Sequence, residues 1–417
     1  MKPRILPDEL LRELAALHGT PLNVYDAACV RARLARLFAS GGGRGFDLVR
    51  YAQKANPNLS VLRLLREGGA LVDAVSAGEL ARALAAGYAP EQVSYCADLL
   101  DRPALDALAA HPFAITVGSA DMLEWVAALR PGGSVALRVN PGFGSGHHAK
   151  ATTGGEQSKH GVWHAELAAA IARARGLGLS VGGLHVHIGS GVEIDRLDAV
   201  REAMRGFARL VGPSLEWISA GGGLPVPYRA GEREIDVDAL ARAWNRTREA
   251  IESDLARRVR LEVEPGRWLV AEAGVLVCEV RGTKRSGEVD YLLVDAGFND
   301  LVRPALYGAF HQISVVGRDG EPRAPRMVAG PLCETGDVFT QGANQILCPQ
   351  DLPDARPGDL VCLHDAGAYG FAMASNYNSR PLCAEVLVDH GQARLVRRRQ
   401  TVRELLEPEL ELVEEEP

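Results

Sequence analysis

From about residue 30 to about residue 265, short apolar runs alternate with stretches in which apolar positions recur at helical spacing. The clearest apolar runs are 46–51, 70–75, 134–139 and 183–188, and helical stretches include 79–86 and 165–174. Strand-like runs that alternate with helices over such a length predict a parallel α/β architecture. We expect a TIM-like (β/α)8 barrel, in which residues that follow the strands meet at one mouth.

The pattern changes after about residue 270. Valine-rich segments recur between Gly, Pro and Asp turns, and helical periodicity is scarce until 398–412. This sequence pattern predicts a second, β-rich domain of sandwich or barrel type, to which the N-terminal segment 5–25 contributes a strand. We therefore place the barrel at 28–268 and assign 1–27 and 269–417 to the β-rich domain.

Composition narrows the class of protein. With 47% hydrophobic and 24% charged residues, the chain has the make-up of an ordinary globular protein. Its net charge of −7 gives no reason to expect nucleic acid or an anionic membrane as partner, and no apolar run approaches the ~20 residues of a membrane span. Seven cysteines without a C-x-x-C pair, and no signal peptide, indicate free thiols in the cytoplasm.

Lys54 is the first candidate for chemistry. It follows a strand-like run and precedes Asn56-Pro57, which stops the strand. A lysine that points into a barrel mouth would be desolvated and therefore more nucleophilic. A surface lysine at a strand end explains the same pattern, so this residue alone decides nothing.

Two histidines and a glycine-rich turn form the second motif. His185 and His187 alternate along one predicted strand, and Gly189-Ser190-Gly191 follows at once. The H-x-H pattern is known from metal-dependent barrel hydrolases, but the backbone amides of such a turn suit a phosphate better than a cation. We interpret His187 as a ring that stacks on a cofactor and His185 as structural, and we expect no metal ion.

Further along the barrel region come Gly221-Gly222-Gly223 and Glu264-Pro265-Gly266-Arg267. Consecutive glycines let backbone N–H groups approach an anion, although a plain turn explains them equally well. A carboxylate can hold a pyridine nitrogen protonated, but Glu264 could also form a structural pair with Arg267. An amine, an aromatic ring, two glycine-rich loops and a carboxylate together are the groups needed to hold pyridoxal phosphate.

The β-rich region adds four candidates. Cys333 could deliver a proton to carbon, and Glu334 could hold a substrate ammonium. Arg303 is a candidate for carboxylate recognition, and Tyr377 could donate its hydroxyl to a phosphate. Taken singly, each is explained equally well as a core or surface residue.

Taken in order, these motifs resemble the fold type III (alanine-racemase-like) family of pyridoxal-phosphate-dependent decarboxylases. The resemblance runs from about residue 23 to about residue 406. Its most specific stretches are 51–58, 73–80, 140–161, 185–192, 294–307, 328–340 and 365–381. The branch that it matches best decarboxylates meso-2,6-diaminopimelate to L-lysine and CO2, the last step of lysine biosynthesis, and this is the activity that the resemblance implies.

The resemblance also implies roles for individual residues. Lys54 would attach the cofactor covalently, His187 would stack on its ring, Glu264 would hold its pyridine nitrogen, and Cys333 would donate a proton; these four are the catalytic candidates. The phosphate would lie among Ser190, Gly221, Gly222, Gly223, Gly266 and Arg267, with Tyr377 also touching the cofactor. Asp73, Glu79 and Arg138 would orient the lysine. The substrate would contact Arg267, Arg303, Tyr307, Glu334 and Tyr377. Cys333 and Glu334 would reach the neighbouring subunit's site, which implies a homodimer with shared active sites.

Some features leave alternatives open. Many family members carry glutamine where Gly191 stands, and the loop 144–150 is of a subgroup type, which leaves the details of substrate binding in doubt. A decarboxylase of arginine, ornithine or a carboxy-polyamine is a second possibility, although such an enzyme would not need Arg303. A non-catalytic carrier of pyridoxal phosphate would lack the β-rich domain. A metal-dependent barrel hydrolase using His185 and His187 is the remaining rival.

Overall fold

The computed structural model describes residues 5–144, 153–189 and 194–413. The chain divides into two compact units. The first comprises Arg31–Val226 and Glu234–Leu269, and the second comprises Met1–Val30, Pro227–Arg233 and Val270–Pro417. Strands and helices are numbered below in chain order through both units.

The first unit is a closed parallel barrel. Its strands are β2 (Leu48–Ala52), β3 (Leu71–Ala74), β4 (Val93–Ala97), β5 (Ala114–Val117), β6 (Ser134–Asn140), β8 (Ser180–His185), β9 (Trp217–Ser219) and β10 (Arg260–Val263). Each strand pairs in parallel with its neighbours in the order β2-β3-β4-β5-β6-β8-β9-β10, and β10 pairs with β2 to close the ring. A short strand, β7 (Val162–Trp163), pairs with β6 outside the ring. The expected (β/α)8 barrel is confirmed.

Helices connect the barrel strands. They are α2 (Ala27–Phe38), α3 (Leu59–Glu67), α4 (Ala77–Ala85), α5 (Arg102–Ala110), α6 (Met122–Leu129), α7 (Leu167–Gly176), α8 (Ile194–Val211), α9 (Val237–Leu255) and α10 (Arg267–Val270). The sequence caps the two helices next to the candidate lysine. Asn58 accepts a hydrogen bond from Ser60 N (2.9 Å) at the start of α3, and Ser76 accepts from Glu79 N (3.2 Å) at the start of α4. These caps fix where the loops after β2 and β3 end.

The second unit is built on a nine-stranded sheet. Its strands are β1 (Leu22–Asp26), β11 (Gly274–Ser286), β12 (Val289–Val294), β13 (Ile313–Val315), β14 (Arg323–Ala329), β15 (Gln350–Pro353), β16 (Leu360–Leu363), β17 (Ala384–Asp389) and β18 (Gln392–Arg397). Its helices are α1 (Asp8–His18), α11 (Arg303–Tyr307) and α12 (Val402–Val413). The expected β-rich second unit is confirmed.

The N-terminal strand lies inside this second sheet, where β1 pairs antiparallel with β11 and parallel with β17. Strand β11 separates two apolar cores because its side chains alternate between the faces of the sheet. Leu276 and Cys278 pack into one core, whereas Val275 and Val277 pack into the other together with residues of α1 and β1. Within the described part of the chain, no helix has both the length and the apolar character needed to cross a membrane.

Candidate active site

Lys54 lies directly after β2, in a 3₁₀ turn formed by residues 53–55. Gln53 and Ala55 are the buried members of this turn, and Lys54 is exposed. The prediction that burial desolvates the amine is therefore wrong, because the turn directs its neighbours, and not Lys54, into the packed interior. The amine nevertheless follows the carboxyl end of a barrel strand, and Ala52 N donates to Pro265 O (3.2 Å), which ties this segment to the loop after β10.

Glu264 follows β10 and is held through both of its oxygens. Ser219 Oγ donates to Oε1 (2.6 Å), and His185 Nε2 donates to Oε2 (2.8 Å). Burial raises the pKa of the Glu264 carboxyl, but attraction to His185, these two hydrogen bonds and the charge of Arg50 outweigh burial and lower it to about 2. The carboxylate is therefore ionised near neutral pH.

The pKa of Asp73, at the carboxyl end of β3, is shifted in the opposite direction. Its pKa is raised well above the usual value by burial first and by the charge of Glu264 second, and the nearby charge of Lys54 only partly offsets this. The pKa values of two acids near each other in the barrel are thus shifted in opposite directions. The surroundings of Glu264 favour its ionised form, and burial of Asp73 disfavours the ionised form of that acid.

The two histidines lie in different structural contexts. Strand β8 ends at His185, so the prediction that His185 and His187 lie on one strand and share a face is wrong. His187 follows the strand and is half-buried. Burial and the positive charges of Arg138 and Lys54 lower the pKa of its imidazole well below the usual range. His187 is therefore a neutral ring at physiological pH, and its Nδ1 accepts a hydrogen bond from Gly222 N (3.3 Å).

The glycine turn after β9 has room for no side chain. Gly221 has a φ of +65°, and a Cβ there would come 2.2 Å from Val186 O. A Cβ on Gly222 would come 2.3 Å from Glu264 O. Gly221 O also accepts from Glu264 N (2.8 Å), so the turn is fixed against the Glu264 loop. Gly221 N and Gly222 N donate to Ser219 Oγ (3.0 Å) and His187 Nδ1 (3.3 Å), so what these two residues offer an anion is close approach of a backbone without side chains.

The segment between residues 140 and 159, which contains the subgroup-type loop 144–150, is described at its two ends, while residues 145–152 lie outside the described residues. Asn140 Oδ1 accepts from Gly142 N (3.1 Å) and from Gly155 N (2.9 Å), which joins the ends of the loop. Thr153 Oγ1 donates to His187 O (3.0 Å). The loop therefore returns to the segment that carries His187. Ser190 and Gly191 also lie outside the described residues.

In the second unit, Cys333, Glu334 and Tyr377 form an exposed cluster. The Tyr377 hydroxyl donates to the Glu334 carboxylate, and Cys333 N donates to Asn378 Oδ1 (3.0 Å). The hydrogen bond to Glu334 is the main cause that raises the pKa of Tyr377. The Phe298 ring packs 5.5 Å from the Tyr377 ring. A thiol, a carboxylate and a phenol are thus presented together on the surface of this unit.

Arg303 and Tyr307 lie one turn apart on α11. Arg303 is buried, its guanidinium lies 4.9 Å from the centre of the Tyr228 ring, and its Nη1 donates to His311 Nε2 (2.8 Å). His311 Nδ1 in turn donates to His364 O (2.8 Å), which fixes the tautomer that accepts from Arg303. Arg303 is therefore held in one orientation by its own unit.

A family comparison identifies the chain. The family model described as "Pyridoxal-dependent decarboxylase, pyridoxal binding domain" matches residues 41–271, more than half of the chain. The chain belongs to the pyridoxal-dependent decarboxylases. A diaminopimelate decarboxylase of Streptomyces coelicolor is 52% identical over 98% of this chain and 93% of that relative.

Solved structures of related decarboxylases agree with this assignment. A crystal structure of a diaminopimelate decarboxylase superposes with a TM-score of 0.93 at 48% identity and covers 97% of both chains. Diaminopimelate decarboxylase from Helicobacter pylori, solved in complex with L-lysine, gives a TM-score of 0.85 at 31% identity and covers 96% of this chain and 99% of that one. The predicted resemblance to the fold type III pyridoxal-phosphate decarboxylases is confirmed, and with it pyridoxal phosphate as the cofactor.

The barrel residues of this decarboxylase fit pyridoxal phosphate. Lys54, Asp73, His187, Gly221 and Glu264 all lie at or just after the carboxyl ends of barrel strands, which meet at one mouth. That mouth contains an exposed amine, a neutral imidazole, an ionised carboxylate and a glycine turn in which a Cβ would clash. Gly223 is the last residue of this turn, and Gly266 and the half-buried Arg267, the first residue of α10, follow Glu264 in the chain.

The sequence interpretation missed residues that position this site. Ser219 belongs to none of the motifs singled out from the sequence, yet its hydroxyl donates to Glu264. The available signal was its place at a strand end, directly opposite His185 in the β8–β9 register. His311 and Asn378 carried no such signal, because their partners are distant in the chain or belong to irregular loops. Arg50, which donates from Nε to the buried Glu262 (2.6 Å), was also overlooked.

Proposed function

We propose that this protein removes one carboxylate from meso-2,6-diaminopimelate with the help of pyridoxal phosphate and releases L-lysine and CO2. One observation carries the proposal: chain-long similarity to diaminopimelate decarboxylases, at up to 52% identity, coincides with a barrel mouth whose groups fit the cofactor. The L-lysine in the Helicobacter pylori structure is the product that the proposed reaction would give.

We assign cofactor binding to residues at the barrel mouth. Lys54 is the amine that would attach the cofactor, and the glycine turn 221–223, in which a Cβ on Gly221 or Gly222 would clash, would lie against its phosphate. The ionised Glu264 would hold the pyridine nitrogen, and the neutral ring of His187 would pack on the cofactor face. When bound, pyridoxal phosphate supplies an electron sink that lets the bond between Cα and the carboxylate break.

Substrate selection rests on charged groups of the second unit. Meso-diaminopimelate carries an ammonium and a carboxylate at the end that does not react. Glu334 would bind the ammonium, and Arg303, fixed by His311 and Tyr228, would bind the carboxylate with charge-assisted hydrogen bonds. Tyr307, on the same helix as Arg303, and Arg267 are further candidates for contact with the substrate. A substrate without the distal carboxylate would lose these charge-assisted hydrogen bonds to Arg303.

Cys333 is the group that we assign to proton delivery. The exposed Cys333 thiol donates its proton from Sγ to Cα after CO2 leaves, and it regains a proton from solvent before the next turnover. Tyr377 holds Glu334 in place through its hydroxyl. Charge and mass balance, since one carboxylate leaves as CO2 and one proton replaces it on carbon.

We further propose a cytoplasmic homodimer with shared active sites. In this arrangement, Cys333 and Glu334 of one protomer complete the barrel site of the other. Two observations support it: the resemblance to the family, and the exposure of the Cys333–Glu334–Tyr377 cluster on its own unit. All seven cysteines are free, which agrees with a reducing compartment.

A substrate panel tests the proposed reaction. With added pyridoxal phosphate, kcat/KM for meso-diaminopimelate should exceed that for L-lysine, L-ornithine and L-arginine by at least about 10³-fold, because these lack the distal carboxylate. Arg303→Met should remove most of this preference for meso-diaminopimelate. Arg281→Met, which alters an exposed arginine of the same unit, is the control and should leave the preference unchanged. A preference of the wild type for ornithine or arginine would replace the proposal with a diamine-forming decarboxylase.

Subunit complementation tests the shared site. Lys54→Ala and Cys333→Ala homodimers should each be nearly inactive. After subunit exchange, random pairing makes about half of the dimers mixed, and each mixed dimer has one intact site, so activity should return to roughly a quarter of the wild type. Cys348→Ala, which alters another exposed thiol, should keep the activity of the wild type and is the control for the loss of a cysteine as such. No recovery in the mixture, with exchange confirmed by mass spectrometry, would put both residues in one subunit's site.

A further inference from the structure

The hydrogen bonds that hold the Glu264 carboxylate come from residues at the ends of two neighbouring strands. His185 ends β8, Ser219 ends β9, and the two residues lie directly opposite each other in the parallel pairing of these strands. Glu264 follows β10, the next strand in the barrel. Its Oε2 accepts from His185 Nε2 and its Oε1 from Ser219 Oγ. Neither oxygen can rotate away without breaking a hydrogen bond, so the carboxylate has one orientation.

The imidazole of His185 hydrogen-bonds to Glu264 and to no other described residue. The side chain is buried, and Nδ1 meets no hydrogen-bond partner among the described residues. Its bond to Glu264 is thus the one polar contact that the described part of the chain offers the ring. A histidine whose role was only to stabilise the core would be expected to have both ring nitrogens paired. The arrangement instead directs one N–H at one carboxylate oxygen.

Ser219 extends the network toward the glycine turn. Its Oγ donates to Glu264 and also accepts from Gly221 N (3.0 Å). The next residue, Gly222, donates to His187 Nδ1. A continuous set of hydrogen bonds therefore joins His185, Glu264, Ser219, the glycine turn and His187. The groups that face the pyridine nitrogen, the phosphate and the ring of the cofactor are linked to one another.

We propose that His185 is a positioning residue which, together with Ser219, fixes Glu264 as an ionised, singly oriented partner of the cofactor's pyridine nitrogen. This inference rests on the proposed function, because it takes Glu264 to be that partner. It also replaces the interpretation of His185 as a structural residue. His185 acts through Glu264 and touches neither substrate nor cofactor.

The charges around Glu264 agree with this role. Among the described residues, the titratable and charged groups that act on Glu264, or on which its charge acts, include His185, His187, Arg50, Asp73 and Cys96. After burial, the attraction and hydrogen bond of His185 are the largest influences on its pKa, and they lower it. Without the His185 donor, the pKa of Glu264 rises, and the carboxylate becomes a weaker partner for a protonated ring nitrogen.

Two substitutions at one position separate the hydrogen bond from the mere presence of a polar side chain. Glutamine can place an amide N–H about where Nε2 lies, whereas asparagine falls short by about 1.5 Å. His185→Gln should stay within about threefold of the wild type. His185→Asn should weaken binding of pyridoxal phosphate to the apo-protein by about 10- to 100-fold, the effect of losing a hydrogen bond to a charged group, and should lower kcat with little change in KM.

A pH titration gives the readout that a structural role would not change. In His185→Asn, the acid-side change in the absorbance of the bound cofactor and the acid limb of kcat should both move to higher pH, because Glu264 becomes easier to protonate. Ser219→Ala, which removes the other donor from a different strand, should move both in the same direction. This second variant keeps the test decisive if His185→Asn does not fold.

The outcomes separate this inference from the proposed function. If the wild type binds cofactor and decarboxylates meso-diaminopimelate, but His185→Asn and Ser219→Ala match it in affinity and pH profile, the inference is refuted and the proposed function stands. Equal damage in His185→Gln and His185→Asn would also refute it, because the shape of the imidazole would then matter and its hydrogen bond would not. A wild type that binds no pyridoxal phosphate would overturn both.

Discussion

Replacing Glu264 with glutamine tests the electronic role of the barrel carboxylate. The change keeps the shape of the side chain and removes its charge. In the native protein both oxygens accept hydrogen bonds, from Ser219 (2.6 Å) and His185 (2.8 Å). An amide has only one acceptor atom, so its NH2 group must face either the hydroxyl or the Nε2–H of His185. At least one contact therefore reorients, and the partner of the pyridine nitrogen becomes neutral.

The magnitude follows from the pKa of Glu264. A carboxyl held at about 2 in place of 4.5 has its charged form stabilised by about 3 kcal/mol. A neutral amide recovers little of that stabilisation, and loss of a preorganised group of this kind typically lowers kcat by about 10²- to 10³-fold. We expect Glu264→Gln to lose activity in this range. It should still bind cofactor, because Lys54 and the glycine turn are unchanged.

The assay measures kcat and KM from CO2 release, together with cofactor occupancy from absorbance. Glu216→Gln, a change in an exposed carboxylate just before β9, is the control and should behave as the wild type. If Glu264→Gln were fully occupied by cofactor and turned over within about threefold of the wild type, the reasoning from its charge would fail. Glu264 would then be a structural residue.

The remaining predictions concern the lysine, the glycine turn and the second acid of the barrel. Borohydride reduction of the holoenzyme, followed by peptide mapping, should mark Lys54, and Lys54→Ala should purify without bound chromophore; a mark on another of the five lysines would contradict the assignment. Gly222→Ala should weaken cofactor binding by at least about tenfold, because its Cβ would meet Glu264 O at 2.3 Å, whereas Gly206→Ala, in open space on α8, should be neutral or stabilising by about 0.5–1 kcal/mol. Asp73→Asn should raise thermal stability by on the order of 1 kcal/mol near neutral pH, since burial disfavours the charged acid. That gain should vanish below about pH 4, where the acid is protonated in both the folded and the unfolded state; a gain independent of pH would contradict it.

The fold was predictable where the pattern of the chain is local. Runs such as 134–139 and 70–75 correspond to β6 and β3, and the change of texture after residue 270 marks the second sheet. Segment 5–25 was expected to give a strand, and the structure adds helix α1 before β1. The pairing of β1 with both β11 and β17 joins residues more than 200 positions apart. Such pairing depends on packing that no local pattern encodes.

The candidate site was predictable in its chemistry and less so in its geometry. Residue type and strand-end position made Lys54, His187 and Glu264 candidates, and the resemblance to the family implied their roles. The exposure of Lys54 and the end of β8 at His185 depend on where a turn begins, which the sequence pattern does not specify. Ser219 belongs to no motif that the sequence shows, and its role depends on strand register. The roles of the site residues and the domain bounds 28–268 stay predictions.

The most direct test of the central claim is the stoichiometry of the reaction. The holoenzyme, incubated with meso-2,6-diaminopimelate, should release CO2 and L-lysine in equal amounts, measured by gas analysis and chiral chromatography, and Lys54→Ala should release neither. Turnover of ornithine or arginine in its place, or full cofactor occupancy without any L-lysine from meso-diaminopimelate, would contradict the account.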